Sequence, residues 1–157
     1  MKIFITADHH FHHKNIIEYC NRPFKTVEEM DKVMIEKWNK KVGKDGLVIH
    51  LGDFALGTKE QVKETREKLN GTIILIKGNH DKVIKEFIVV RDSLQIGNII
   101  FSHRPIPKKE IPKDCINVHG HIHEKESVSG INVSVEQTNY DPVLLEELEK
   151  QIGIPKS

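Results

Sequence analysis

Leu47-Val48-Ile49-His50-Leu51-Gly52-Asp53 is the stretch that decides the fold: a short, mostly apolar run with β-branched members that stops at a glycine and a carboxylate. A run of that length bounded by a turn signal reads as a buried strand feeding a polar loop. Upstream of it, Thr26 and Glu29 form a capping box, and Val27, Met30, Met34, Trp38 and Val42 recur at helical spacing up to Gly43, which predicts a helix with Met30, Met34 and Trp38 in the core. Further upstream, Lys2 to Thr6 reads as another buried strand and ends at Ala7-Asp8-His9-His10. Downstream, Thr58 and Gln61 cap a helix from about Lys59 to Leu69, Asn70-Gly71 stops it, and Thr72 to Lys77 is a third strand ending at Gly78-Asn79-His80-Asp81. Three strands separated by two helices predict a mainly parallel sheet.

The second half reads differently. Gly97-Asn98 sits at the tip of a hairpin whose second arm runs to Ser102-His103. Ile116 to His119 is a strand ending at Gly120-His121-Ile122-His123, and Ile131 to Val135 alternates as a half-exposed strand does. Asp141 as cap and Pro142 at the first position open a last helix carrying Leu145, Leu148 and Ile152.

The 157 residues suit one domain, 1–157, and with 38% apolar and 30% charged residues the chain is neither disordered nor a membrane protein. No apolar run approaches the ~20 residues of a spanning helix, and a carboxylate at position 8 interrupts any secretory signal, so the cytoplasm is the expected location. A net charge of +1 gives no bulk attraction to nucleic acid or membrane. Cys20 and Cys115 fit no metal or redox spacing and are expected as reduced thiols. Histidine is the anomaly. Ten are present, several clustered at strand ends.

Five strands terminate in Asp8 and His10, in Asp53, in Asn79 and His80, in His103, and in His121 and His123. Ligands of open α/β sheets bind outside the carboxyl ends of the strands, so these groups are placed to converge. Two carboxylates, one amide and four imidazoles suit zinc, manganese, iron, cobalt or nickel. Seven ligands exceed one tetrahedral ion; two ions about 3.5–4 Å apart sharing a carboxylate would use them all. Two divalent cations, two aspartates and a bridging hydroxide leave a residual positive charge, which fits an anionic substrate such as a phosphate ester. His9, His12, His50 and His119 are expected as structural residues or outer partners of ligands.

The ordered blocks Asp8-His9-His10, Gly52-Asp53, Gly78-Asn79-His80-Asp81, His103 and Gly120-His121-Ile122-His123 resemble those of the calcineurin-like metallophosphoesterases. The opening Asp-x-His-Phe-x-His-x-Asn-Ile-Ile with Asn21-Arg22-Pro23-Phe24 is similar to a group of small, mostly uncharacterised bacterial and phage phosphoesterases within that family. The resemblance implies an α/β fold, a four-layer α/β/β/α sandwich of two mixed sheets flanked by helices. It also implies that Asp8, His10 and His123 hold one metal, that Asn79, His103 and His121 hold the other, and that Asp53 bridges them. His80 would stay unmetallated. The run Gly52-Asp53-Phe54-Ala55-Leu56-Gly57 lacks the aspartate and arginine of the protein-phosphatase branch, which argues against a phosphoprotein substrate.

The expected activity is metal-dependent hydrolysis of phosphate esters, diesters of small molecules or nucleotides before monoesters, by in-line attack of a metal-bridging hydroxide. The cofactor would be two divalent ions, manganese first, with zinc, iron, nickel or cobalt as alternatives. His80 would be the catalytic residue, stabilising transition-state charge or protonating the leaving alkoxide. Arg104, His13 and Arg22 are the candidate substrate contacts. The expected partner is a small phosphorylated substrate or nucleotide, and an exposed edge strand offers a route to a homodimer. Two alternatives stand beside this reading: a nuclease acting on nucleic-acid ends, which the net charge does not favour, and a non-catalytic metal-binding scaffold, against which the retention of every ligand and His80 weighs.

Overall fold

The structure is a computed structural model that describes residues 1–153. The last four positions of the expected 1–157 span lie outside the described residues. The strands are β1 (Ile3–Thr6), β2 (Leu47–His50), β3 (Thr72–Ile76), β4 (Ile88–Val90), β5 (Ser93–Ile96), β6 (Ile99–Ser102), β7 (Ile116–His119), β8 (Ile131–Asn132) and β9 (Val143–Leu144). The helices are α1 (Lys14–Tyr19), α2 (Val27–Lys41), α3 (Lys59–Glu67) and α4 (Leu145–Gln151). One sheet has the order β4-β3-β2-β1-β9, parallel except for β9; the other is β5-β6-β7-β8, with an antiparallel hairpin followed by parallel pairs. The fold is therefore mixed α/β, two mixed sheets flanked by helices, as expected.

Period-two alternation divides the core in two. Phe4, Val48, Ile73 and Leu75 face Met30, Met34, Trp38 and Val62 of the helices, while Ile5, Ile49 and Ile76 face Phe101 and Val118 of the second sheet. Burying a side chain of this size contributes about 1.5–3 kcal/mol, so a one-residue register slip in β1 or β2 would expose several such side chains. The α3 cap forms in full: Thr58 Oγ1 accepts from Gln61 N–H, and the Gln61 side chain accepts from Thr58 N–H. On α2, Thr26 accepts from Glu29 N–H, but the Glu29 carboxylate takes the N–H of Lys25 instead of Thr26.

Two local expectations are corrected. Pro142 does not open a helix; Val143 and Leu144 pair antiparallel with Ile5 and Phe4, and α4 begins at Leu145. Pairing at the sheet edge prevails over the local cap signal, and proline is tolerated where a strand starts. The alternation of Ile131 to Val135 yields only the two-residue β8 followed by a 3-10 turn, Val135–Gln137. α1 and β4 are each too short to carry a periodic pattern in the sequence.

Candidate metal centre

β1, β2, β3, β6 and β7 release their chains at the same end of the sandwich. Beyond the first sheet, the loops after β1 and β2 run on side by side. The N–H groups of Asp8, His10 and Phe11 donate to the carbonyls of Gly52, Asp53 and Phe54, each at 3.0 Å. Asp81 ties the loop after β3 to this pair, since its carboxylate accepts the N–H groups of Gly78, Asp53 and Phe54 at 2.7 Å each. Asp8, His10, Asp53, His121 and His123 all have φ between 51° and 73°. Non-glycine residues rarely hold that conformation, and they cluster where surrounding structure imposes it for a site.

Two groups of ligand atoms result. Asp8, His10 and His123 each place one donor atom within 4.8 Å of the other two, and Asp53, His103 and His121 do the same. Asp53 Oδ2 lies 3.5 Å from His10 Nε2 in the first group and 3.3 Å from His103 Nε2 in the second. One carboxylate oxygen therefore faces both groups. Asp8 Oδ2 is occupied by Ser134 Oγ–H at 3.0 Å and His121 N–H at 2.7 Å, which leaves Oδ1 turned toward His10 Nε2 and His123 Nε2 at 4.0 and 3.9 Å.

Outer contacts fix the imidazoles. His103 Nδ1–H donates to Leu51 O at 2.7 Å and His123 Nδ1–H to Glu136 Oε2 at 2.9 Å, so in the neutral rings the Nε2 lone pairs face inward. Behind the site, Gly52 N–H donates to His50 Nδ1, so His50 Nε2–H donates to His9 Nδ1 at 2.9 Å; the pair joins the ends of β1 and β2. Burial holds His50 down to about 3 and His9 well below the usual range, so both stay neutral. Burial pushes Asp8 up to about 6 against the pull of His103 and His123. Burial would raise Asp53 too, yet the imidazoles of His10 and His103 close to its Oδ2 outweigh it and hold the carboxyl well below the carboxylate range. His123 is pushed up to about 10, burial being overcome by the adjacent Cys20, Glu136 and Asp8.

The donor set fits divalent cations. Asp8 Oδ1 and His10 Nε2 are buried and, among the described residues, have no hydrogen-bond partner, a costly arrangement in an apolar interior unless a cation or ordered water completes it. The atoms offered are imidazole nitrogens and carboxylate oxygens, the hard-to-borderline set that zinc or manganese takes. Gly120 keeps the space open: a Cβ there would overlap Asp8 Oδ2 and come within 2.7 Å of Ala7 Cβ. Gly120→Ala is expected to lower metal affinity by about 10–100-fold, the scale on which disturbed outer shells act, with far-ultraviolet circular dichroism unchanged. Unaltered metal content on equilibrium dialysis would show that the carboxylate does not need this space.

The remaining candidates fall in different places. Asn79 is exposed and lines the same cleft as His103. His80 is exposed at the rim, its N–H donating to Asp53 Oδ1 at 3.0 Å and its ring 6.0 Å from that of His10. Arg104 is exposed in the cleft. His13, expected toward substrate, engages His10, Nδ1 to Nδ1 at 3.0 Å, and is half-buried. Arg22 is the clear correction. Its guanidinium is fully buried and donates to Glu136 Oε2, His9 O, Asp8 O and Met30 Sδ, so no N–H is left for a phosphate. It braces the loop that carries the ligands. His12 and His119 are structural as expected, bonded to Thr65 and Ser127. Glu136 and Cys20 were missed. Both lie beside His123, and neither sits in a motif that would have marked it.

Comparison with known proteins gives a family and a fold. The family model described as calcineurin-like phosphoesterase matches residues 1–155. The chain is 40% identical over 163 aligned positions to the uncharacterized protein MJ1445 of Methanocaldococcus jannaschii, covering 96% of this chain and 91% of that one. It is 39% identical over 79 residues to the gene 66 protein of Mycobacterium phage L5, which spans 48% of this chain and 38% of the phage protein. Among solved structures, the protein of unknown function AQ665 from Aquifex aeolicus shares the fold with a TM-score of 0.77 at 24% identity, covering 96% of this chain and 98% of that one.

Proposed function

The chain belongs to the calcineurin-like phosphoesterase family, a family of metal-dependent phosphoesterases, and from that premise we propose that it is a dinuclear phosphohydrolase that cleaves phosphodiesters of small molecules or nucleotides by in-line displacement. The observation that carries this reading is the position of Asp53 Oδ2, 3.5 Å from His10 Nε2 and 3.3 Å from His103 Nε2, which suits a ligand shared by two ions. Asp8, His10, His123 and Asp53 would hold the first ion; Asp53, Asn79, His103 and His121 would hold the second. When bound, two such ions, with manganese the first choice, supply an acidified water and electrophilic contacts to phosphate oxygens.

The chain's own residues do the rest. Glu136 and the Leu51 carbonyl orient His123 and His103 so that their Nε2 atoms face the site. His80, exposed beside the two groups, is placed to give a proton to the leaving oxygen or to hydrogen-bond a non-bridging one. His80→Ala is expected to keep the metal content while turnover falls by about 10²–10⁴-fold; unchanged turnover would remove His80 from the reaction.

The proposal is tested by stripping metal from the purified protein, restoring manganese, nickel, zinc or magnesium, and assaying bis-para-nitrophenyl phosphate, para-nitrophenyl phosphate and labelled oligonucleotides. Hydrolysis of the diester ahead of the monoester and the oligonucleotide is the expected result. No hydrolysis of any of them with two ions bound would make the protein a scaffold.

A further inference from the structure

Three cations line the cleft that opens from His103 and Asn79: Lys77, Arg91 and Arg104. Their placement follows from the strands. Ile76 and Val90 are partners in the parallel β3-β4 pair, and Lys77 N–H donates to Val90 O at 2.9 Å, so Lys77 and Arg91 are the next residues on adjacent chains. Arg104 follows β6 on the facing wall, one residue beyond His103. All three are exposed at the end of the sandwich where the ligands converge.

Like charges side by side on neighbouring chains are destabilising, and among the described residues no carboxylate forms an ion pair with any of the three. Asp92 and Glu110 line the same cleft, yet the lysine and arginine ion pairs among the described residues are those of Arg22, Lys32 and Lys63. The three cations are thus available to an anion. The geometry points to a subsite for a second phosphate group, so that the favoured ligand is a nucleotide-sized ester carrying a further phosphate besides the one at the metal centre.

This assignment rests on the phosphoesterase reading of the site and names the class of ester it takes. A small ligand fits better than a nucleic acid, because the net charge is +1 and these cations sit in one cleft of ≈ 520 Å³ without forming a basic stripe. Arg91 and Lys77 would act on specificity and touch the distal phosphate only.

The test compares thymidine 3′,5′-bisphosphate with thymidine 5′-monophosphate by calorimetry on the whole manganese-loaded protein. It also compares thymidine 5′-(para-nitrophenyl phosphate) with and without a 3′-phosphate in turnover. The wild type is expected to bind the bisphosphate at least about tenfold more tightly, the factor of one charge-assisted contact. The same preference should appear in kcat/KM, mainly through KM. In Lys77→Ala/Arg91→Ala both ratios should fall to within about twofold of one. Equal binding by the wild type, or a ratio that survives in the double variant, would overturn the subsite. An oligonucleotide that outcompetes the bisphosphate through the same two residues would overturn the assignment to a small ligand. The two readings fail differently: a binding preference without hydrolysis of either nitrophenyl ester upholds the subsite and removes the phosphoesterase, whereas equal hydrolysis of both does the reverse.

Discussion

Asp53→Asn should reduce turnover by more than about 100-fold and lower the bound metal from two ions per chain to one or fewer. Loss of an outer partner of a metal ligand already costs about 10–100-fold, and Asp53 Oδ2 is nearer than that, one oxygen within 3.5 Å of nitrogens in both ligand groups. Its other oxygen, Oδ1, accepts His80 N–H, so asparagine can preserve the backbone of the loop while removing the shared negative charge. Turnover on bis-para-nitrophenyl phosphate and metal content by mass spectrometry check it together. A variant that retained two ions and wild-type turnover would mean that Asp53 is not shared.

The second large effect concerns stability. Arg22→Ala should destabilise the fold by about 3–5 kcal/mol, the usual consequence of breaking a buried ion pair from one side. In a chain of this length that corresponds to a fall in Tm of roughly 10 °C. The guanidinium is fully buried and its partner Glu136 is 4% exposed, so the carboxylate would be left with only His123, and the carbonyls of Asp8 and His9 would lose their donors. Arg22→Lys is not expected to rescue, because one ammonium cannot reproduce a planar fork that reaches four partners. Thermal unfolding of both variants decides the matter. An unchanged Tm with a raised KM would return Arg22 to the role of a substrate contact.

Those two residues also mark how far the sequence could be read. Asp53 was legible because its signal is local: an apolar run breaks off at Gly52-Asp53, and a strand that ends so abruptly delivers its carboxylate to the sheet edge. Asp8, His10, His103, His121 and His123, which the structure brings into the two groups, follow the same local logic. Arg22 and Glu136 are 114 positions apart and meet only through the tertiary fold. Charged residues are mostly exposed and nothing local marks either one as buried, so Arg22 read as a candidate substrate contact, Glu136 carried no signal, and only their burial shows that they brace the ligand loops. The same holds for the start of α4, where Val143 and Leu144 complete a sheet edge begun by residues near the other end of the chain.

The shared-oxygen arrangement is tested most directly by anomalous diffraction from crystals of the protein loaded with manganese. The account predicts two peaks about 3.5–4 Å apart, with Asp53 Oδ2 between them, one peak beside Asp8, His10 and His123 and the other beside His103 and His121. A single peak, or a pair in which Asp53 touches only one ion, would contradict it.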